Sequence, residues 1–121
     1  SIDDYDRLAC QLDAIWHNAA WVDHVRDYES LRAANVNGTV EILHLAARDR
    51  LKPVHYVSTY GTSFSHACAC VKEATALPTS AELLQSGFSN GYTQTKWVAE
   101  RLVLKAASHG LPVTIHKPGR I

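Results

Sequence analysis

The sequence predicts an α/β fold built on a parallel sheet, and three features carry that prediction. Three short apolar segments, 13–17 (DAIWH), 54–58 (VHYVS) and 113–116 (VTIH), have the length and composition of strands. The segments between them hold long helical patterns, as crossovers joining parallel strands require. Stop signals fall where such crossovers end, with Pro53 before the second strand and Gly110 and Pro112 before the third.

In chain order, residues 3–11 have the pattern of a helix tail, and 13–17 form the first strand. A polar-aromatic loop, 18–27, leads into a helix predicted over 28–50. The strand 54–58 is followed by a long irregular stretch of small and polar residues, 59–90. Helix returns over 91–109, stops at Gly110, and gives way to the strand 113–116. Right-handed crossovers place both long helices on one face of the sheet. In a doubly wound fold the other face is covered by helices of the first half. No strand followed by G-x-G-x-x-G precedes residue 13, so the chain is expected to be the C-terminal half of a doubly wound Rossmann-type sheet: three parallel strands with crossover helices. Ile15, Val54, Tyr56, Val113 and Ile115 lie on strands meant to be covered on both sides. An apolar patch left open there predicts self-association through the uncovered sheet face.

Composition narrows the function. Among 121 residues, 46% are hydrophobic and 20% charged, which suits one globular domain and not a disordered chain. Twelve basic and 12 acidic side chains cancel, so neither a nucleic-acid surface nor an anionic membrane is expected as a partner. No segment approaches the roughly 18 apolar residues of a membrane span, and no signal peptide opens the chain. Cys10, Cys68 and Cys70, odd in number and irregular in spacing, suit a reducing, cytoplasmic setting.

The chemistry concentrates in a few places. Tyr92 and Lys96 are spaced to share one face of a helix start. Ala99, Leu102, Val103 and Ala106 mark the face of that helix turned to the sheet, and Tyr92 and Lys96 fall along or beside it. A merely solvated lysine would sit with Arg101 and Lys105 on the opposite face. A tyrosine hydroxyl titrates at about 10, and a nearby ammonium would lower that value and prepare it for proton transfer. Ser58 and Thr59 end the middle strand, where open parallel sheets bind ligands; a local backbone contact is the competing role. Asn35 projects with Leu31, Gly38 and Ile42 into the buried stripe of its helix, whereas Asn37 points outward. A buried amide needs partners, at about 1–3 kcal/mol if they are missing. His66-Ala67-Cys68-Ala69-Cys70 has the wrong spacing for the usual zinc patterns, so no metal site is expected. His44 and His55 fit surface or packing roles. Trp97 and Leu104 share a side away from the stripe, as ordinary packing residues do.

Together these features resemble the extended short-chain dehydrogenase/reductase superfamily over essentially the whole chain. His17-Asn18-Ala19-Ala20 resembles the loop after its fourth strand, Asn35-Val36-Asn37-Gly38-Thr39 its N-V-x-G-T helix, and Val57-Ser58-Thr59 the end of its fifth strand. Tyr92 and Lys96 match Tyr-x-x-x-Lys, and Lys117-Pro118-Gly119 is similar to the segment after the sixth strand, with Lys117 in place of the usual Arg. LKPVHYVST (51–59), GYTQTKWVAERLV (91–103) and LPVTIHKPGRI (111–121) are similar to terminal thioester reductase domains of nonribosomal peptide and polyketide synthetases. They are also similar to carboxylic acid and aminoadipate reductases.

The resemblance implies a single, incomplete NAD(P)-binding Rossmann domain over 1–121. Thr59, Tyr92 and Lys96, with Asn35, would be catalytic, Thr59 being preferred over Ser58. Asn18, Ala19, Ala20, Tyr92, Lys96, Pro118 and Gly119 would touch the cofactor, NADPH or NADH. The parent would be an oxidoreductase passing hydride to an acyl thioester on a phosphopantetheine carrier protein, releasing aldehyde or alcohol. A nucleotide-sugar epimerase or dehydratase, an acyl-CoA reductase and a non-catalytic binding module are the alternatives. Without a phosphate-binding loop, the isolated chain is expected to be inactive and to bind dinucleotide poorly.

Overall fold

The computed structural model describes residues 2–64 and 87–119. Helix α1 (Ile2–Gln11) leads to strand β1 (Ile15–His17). A continuous helical rod follows, in three pieces: α2 (Tyr28–Arg32), a π-helical turn (Ala33–Asn37) and α3 (Gly38–Ala47). Strand β2 (Val54–Val57), a 3-10 helix (Tyr60–Phe64), α4 (Gly91–Ser108) and β3 (Val113–His116) complete the order. The strands form one parallel sheet, β1-β2-β3, in which Ile15 pairs with Val54 and Val54 with Val113. The predicted α/β fold and all three strands are present.

Local chemistry explains most boundaries. The Asp27 carboxylate accepts from the Ser30 amide at 3.0 Å and caps α2, and Asn90 accepts from the Thr93 amide at 2.8 Å to cap α4. Gly110, at φ 98°, closes α4 in the left-handed region that glycine tolerates. The rod ends at Ala47, three residues short of the expected Arg50. Asp49 turns the chain at φ 64°, and the buried Lys52 ammonium donates to the Arg48 and Arg50 carbonyls at 2.7 and 2.9 Å. This cation satisfies the carbonyls left over beyond the end of the helix, so it favours stopping there.

The core lies between the helices and one face of the sheet. Ala9, Leu45 and Ala46 pack on Ile15 and Val54, while Ala99 and Val103 pack on Tyr56, flanked by Val113 and Ile115. The expectation for the uncovered face is therefore corrected. Ile15, Val54, Tyr56, Val113 and Ile115 share the side facing the helices, because strand side chains alternate and the register aligns these positions. The opposite side carries Trp16, His55 and His116 instead. Trp16 stacks on His55 with ring centroids 4.1 Å apart, yet remains 65% exposed. The His55 and His116 rings meet at 3.2 Å, Nδ1 to Nε2. Trp97 packs with Val36 and Val98, and Leu104 is exposed.

Candidate active site

Because all three strands run the same way, their carboxyl ends share one edge of the sheet. Asn18-Ala19-Ala20, Ser58-Thr59 and Lys117-Pro118-Gly119 each begin one residue past a strand, so the topology brings the three segments to that edge. Asn18 and Ala19 are exposed there, and Ala20 is half-buried. A cleft of about 500 Å³ opens between the second and third segments, lined by His24, Thr59, Tyr60, Gly61, Pro118 and Gly119.

Ser58 and Thr59 part company at the strand end. The Ser58 hydroxyl turns inward and donates to Glu100 Oε2 at 2.7 Å. Thr59 lines the cleft, its Oγ1 accepting a long bond of 3.3 Å from the Gly61 amide. Its hydroxyl proton is thereby left for another acceptor. Of the two hydroxyls, that of Ser58 is turned to Glu100 and Thr59 is the one that lines the cleft.

Tyr92 lies in the first turn of α4, half-buried, with the His24 ring set edge-on against it at 5.4 Å between centroids. Burial raises its hydroxyl above the ordinary tyrosine value. The expected lowering by Lys96 is not present. The Lys96 ammonium is buried and committed elsewhere: it donates to the Val57 carbonyl at 2.7 Å and lies 4.2 Å from the centre of the Tyr56 ring. Desolvation lowers Lys96 to about 8, and the Glu100 carboxylate opposes that shift. His17, buried beside Thr39 at 3.0 Å, is lowered by burial and further by Lys96. Tyr92 and Lys96 thus offer a phenol and a buried ammonium on successive turns of one helix, next to the cleft lining only through the His24–Tyr92 contact.

Asn35 stands apart from the cleft. Its Oδ1 accepts from the Trp21 amide at 2.7 Å, and its Nδ2 donates to the Trp21 carbonyl at 3.1 Å and to Thr95 Oγ1 at 3.0 Å. Thr95 in turn donates to the Tyr92 carbonyl at 2.8 Å. Asn35 therefore ties the loop after β1 to the turn bearing Tyr92. The π-helical turn around it brings Asn35 and Val36 both inside while Asn37 stays exposed, as the projection of the rod predicted for the two asparagines.

The geometry singles out three further residues. Glu100 follows Lys96 by one helical turn, a spacing that would have revealed it. His24 and Gly91 gave no periodic signal. Gly91 sits so close to the loop before α2 that a Cβ there would fall 2.6 Å from the Arg26 carbonyl oxygen and nearer still to Asp27 and Tyr28 backbone atoms. The 66–70 His/Cys motif lies outside the described residues; among those described, no group of three or more metal-binding side chains is present.

Comparison with known proteins places the chain in a family. The family model described as male sterility protein, an NAD-binding model, matches residues 1–121. A linear gramicidin synthase of Brevibacillus parabrevis is 43% identical over 120 residues, covering 97% of this chain and 2% of that protein. A carboxylic acid reductase of Segniliparus rugosus is 37% identical over 121 residues, covering 98% of this chain and 10% of that protein. The crystal structure of the terminal R domain of the myxalamid PKS-NRPS pathway superposes with a TM-score of 0.80 at 46% identity, over 99% of this chain and 30% of that one. A thiolation-reductase di-domain from an archaeal nonribosomal peptide synthetase gives 0.73 at 27% identity, over 97% of this chain and 25% of that one. The chain spans a small share of each of these relatives. With the family match running through every residue, the chain belongs to the NAD-binding male sterility protein family.

Proposed function

We propose that this chain forms part of a nicotinamide-dependent reductase that acts on an acyl thioester carried by a phosphopantetheine arm. The observation that carries the reading is the cleft at the carboxyl edge of the sheet. There Thr59 faces Pro118 and Gly119, and His24 joins that wall to Tyr92. Relatives named as reductases, and a solved neighbour in which a reductase adjoins a thiolation domain, support the substrate class.

The residues suit a nicotinamide cofactor. Three strand ends converge on one edge, a buried ammonium lies beneath it, and Pro118 and Gly119 offer a wall free of bulky polar side chains. When bound, the cofactor supplies hydride to the carbonyl carbon. Thr59 Oγ1 donates to the carbonyl oxygen as negative charge develops there. Tyr92, kept protonated by burial, transfers its proton to that oxygen. Collapse then breaks the carbon–sulfur bond, frees the carrier thiol and leaves an aldehyde. A second round would give the alcohol. Lys96, whose ammonium also meets the Val57 carbonyl, would hold the cofactor's ribose, while Asn35, through Thr95, fixes the turn on which Tyr92 rides. NADPH is the proposed cofactor and the cytoplasm the proposed setting; among the described residues no helix is long and apolar enough to cross a membrane.

The test uses the complete protein that contains this chain, an acyl-pantetheine thioester, and NADPH or NADH followed by absorbance. Turnover of the thioester is expected with NADPH, and Tyr92→Phe is expected to lower the rate about 10²–10⁴-fold with cofactor affinity kept. A Tyr92→Phe enzyme retaining most of its rate would overturn the proton-transfer role. Absence of thioester turnover with both cofactors would overturn the substrate class.

A further inference from the structure

Glu100 is the meeting point of four elements. It rises from the middle of α4 with its side chain only 12% exposed, and each carboxylate oxygen serves a different segment of the cleft. Oε2 accepts from Ser58 Oγ just past β2, at 2.7 Å, and lies 3.0 Å from Thr62 Oγ1 in the 3-10 helix. Oε1 pairs with the Lys117 ammonium just past β3, at 2.7 Å. A carboxylate this sheltered is costly unless paired, and here it is paired on both oxygens.

The partners bracket the cleft. Thr59 stands between Ser58 and Thr62, and its carbonyl accepts from the Thr62 amide at 3.2 Å and shares the single Thr62 hydroxyl proton, at 2.8 Å, with Glu100 Oε2. The turn carrying Thr59 is thus held on both sides by residues that reach the same carboxylate. Pro118 and Gly119, the facing wall, follow directly after Lys117. Ser58 is also joined to the third strand by its amide, which donates to the His116 carbonyl at 2.8 Å.

We infer that Glu100 is a positioning residue that fixes the Thr59 turn and the 117–119 segment in one relation across the cleft. It touches neither substrate nor cofactor and acts through Ser58, Thr62 and Lys117. Its effect on turnover rests on the function proposed above; its effect on the two walls does not.

Two substitutions separate its halves. Glu100→Ala removes every contact. Glu100→Gln keeps an acceptor oxygen for Ser58 and Thr62 and loses the ion pair to Lys117. Hydrogen–deuterium exchange read by mass spectrometry on the complete protein reports each wall independently of activity. Glu100→Ala is expected to speed exchange across 57–64 about tenfold or more, the scale of one lost charge-assisted hydrogen bond, with 101–106 of α4 unchanged. Glu100→Gln is expected to speed exchange across 113–117, the third strand and the Lys117 amide, while leaving 57–64 near the unmodified rate. In turnover, Glu100→Ala is expected to lower kcat about 10- to 100-fold with little change in the thioester KM. Adding Thr59→Val to it should cost less than Thr59→Val costs alone, because the hydroxyl is already out of place. Unchanged exchange at both walls overturns the inference, as does a fully additive double variant. Should Glu100→Ala fail to fold, the split exchange pattern of Glu100→Gln decides. Should the protein prove inactive on thioesters, the proposed function falls and the exchange data alone judge Glu100.

Discussion

Lys96 joins two demands in one side chain: it is buried, and its proposed role needs it charged. Burial lowers it to about 8 from 10.5. Cofactor affinity is accordingly expected to weaken as pH rises through about 8, measured by fluorescence titration, and a flat profile up to about pH 9.5 would show that its charge plays no part. Stability carries the opposite sign. Between about 8 and 10.5 the unfolded chain keeps the Lys96 proton while the folded chain releases it, so this residue's contribution to stability rises with pH across that window. Below about 8 both states hold the proton and the full cost of burial remains. Asn35 and Asn37 make a second pair of expectations. Asn35→Ala strips the Trp21 amide and carbonyl of their side-chain partner and is expected to cost about 1–3 kcal/mol in urea unfolding. Asn37→Ala, on the exposed side, should stay within about 0.5 kcal/mol. Equal losses at the two positions would contradict the assigned partners.

At the scale of elements, α4 is placed by its first residue. Gly91 lets the backbone before α2 come into direct contact with the helix start, and Tyr92 follows it immediately. Gly91→Ala is expected to destabilise the protein by about 1–3 kcal/mol or more, since the obstructing atoms are backbone and have little room to give. Turnover should fall as well, because Tyr92 moves with the displaced turn. Gly38 provides the contrast. It has ordinary helical angles, and among the described residues no neighbouring segment lies within 4 Å of where a methyl group would stand, so Gly38→Ala is expected to stabilise by about 0.5–1 kcal/mol. Thermal melts of the two variants check both signs, and a neutral Gly91→Ala would show that the contact relaxes freely.

For the molecule as a whole, the helices cover one side of the sheet and leave Trp16, His55 and His116 on the other. Parallel sheets are normally covered on both faces. The 121-residue chain by itself is therefore expected to self-associate with rising concentration, and Trp16→Ser should weaken that association without unfolding the helix-side core. Sedimentation velocity reads both, and a monomer at all concentrations with Trp16 intact would contradict the expectation. This surface is more polar than apolar strands suggested, since two of its main rings are imidazoles.

Strand positions, the helix stop at Gly110 and the opposed faces of Asn35 and Asn37 follow from the sequence because each depends on neighbours within a few residues. The Tyr92–Lys96 pair and the Thr59 strand end were legible for the same reason: one rests on helical spacing, the other on where a strand must stop. What the sequence could not supply were relations between distant segments. Which side of the sheet Tyr56 and Val113 face depends on register. The commitment of Lys96 to Val57 rather than to Tyr92, and the raised tyrosine that goes with it, depends on how α4 lies across β2. The role of Glu100 depends on three elements arriving at one carboxylate. Local pattern records which groups a segment offers; only packing decides which of them meet.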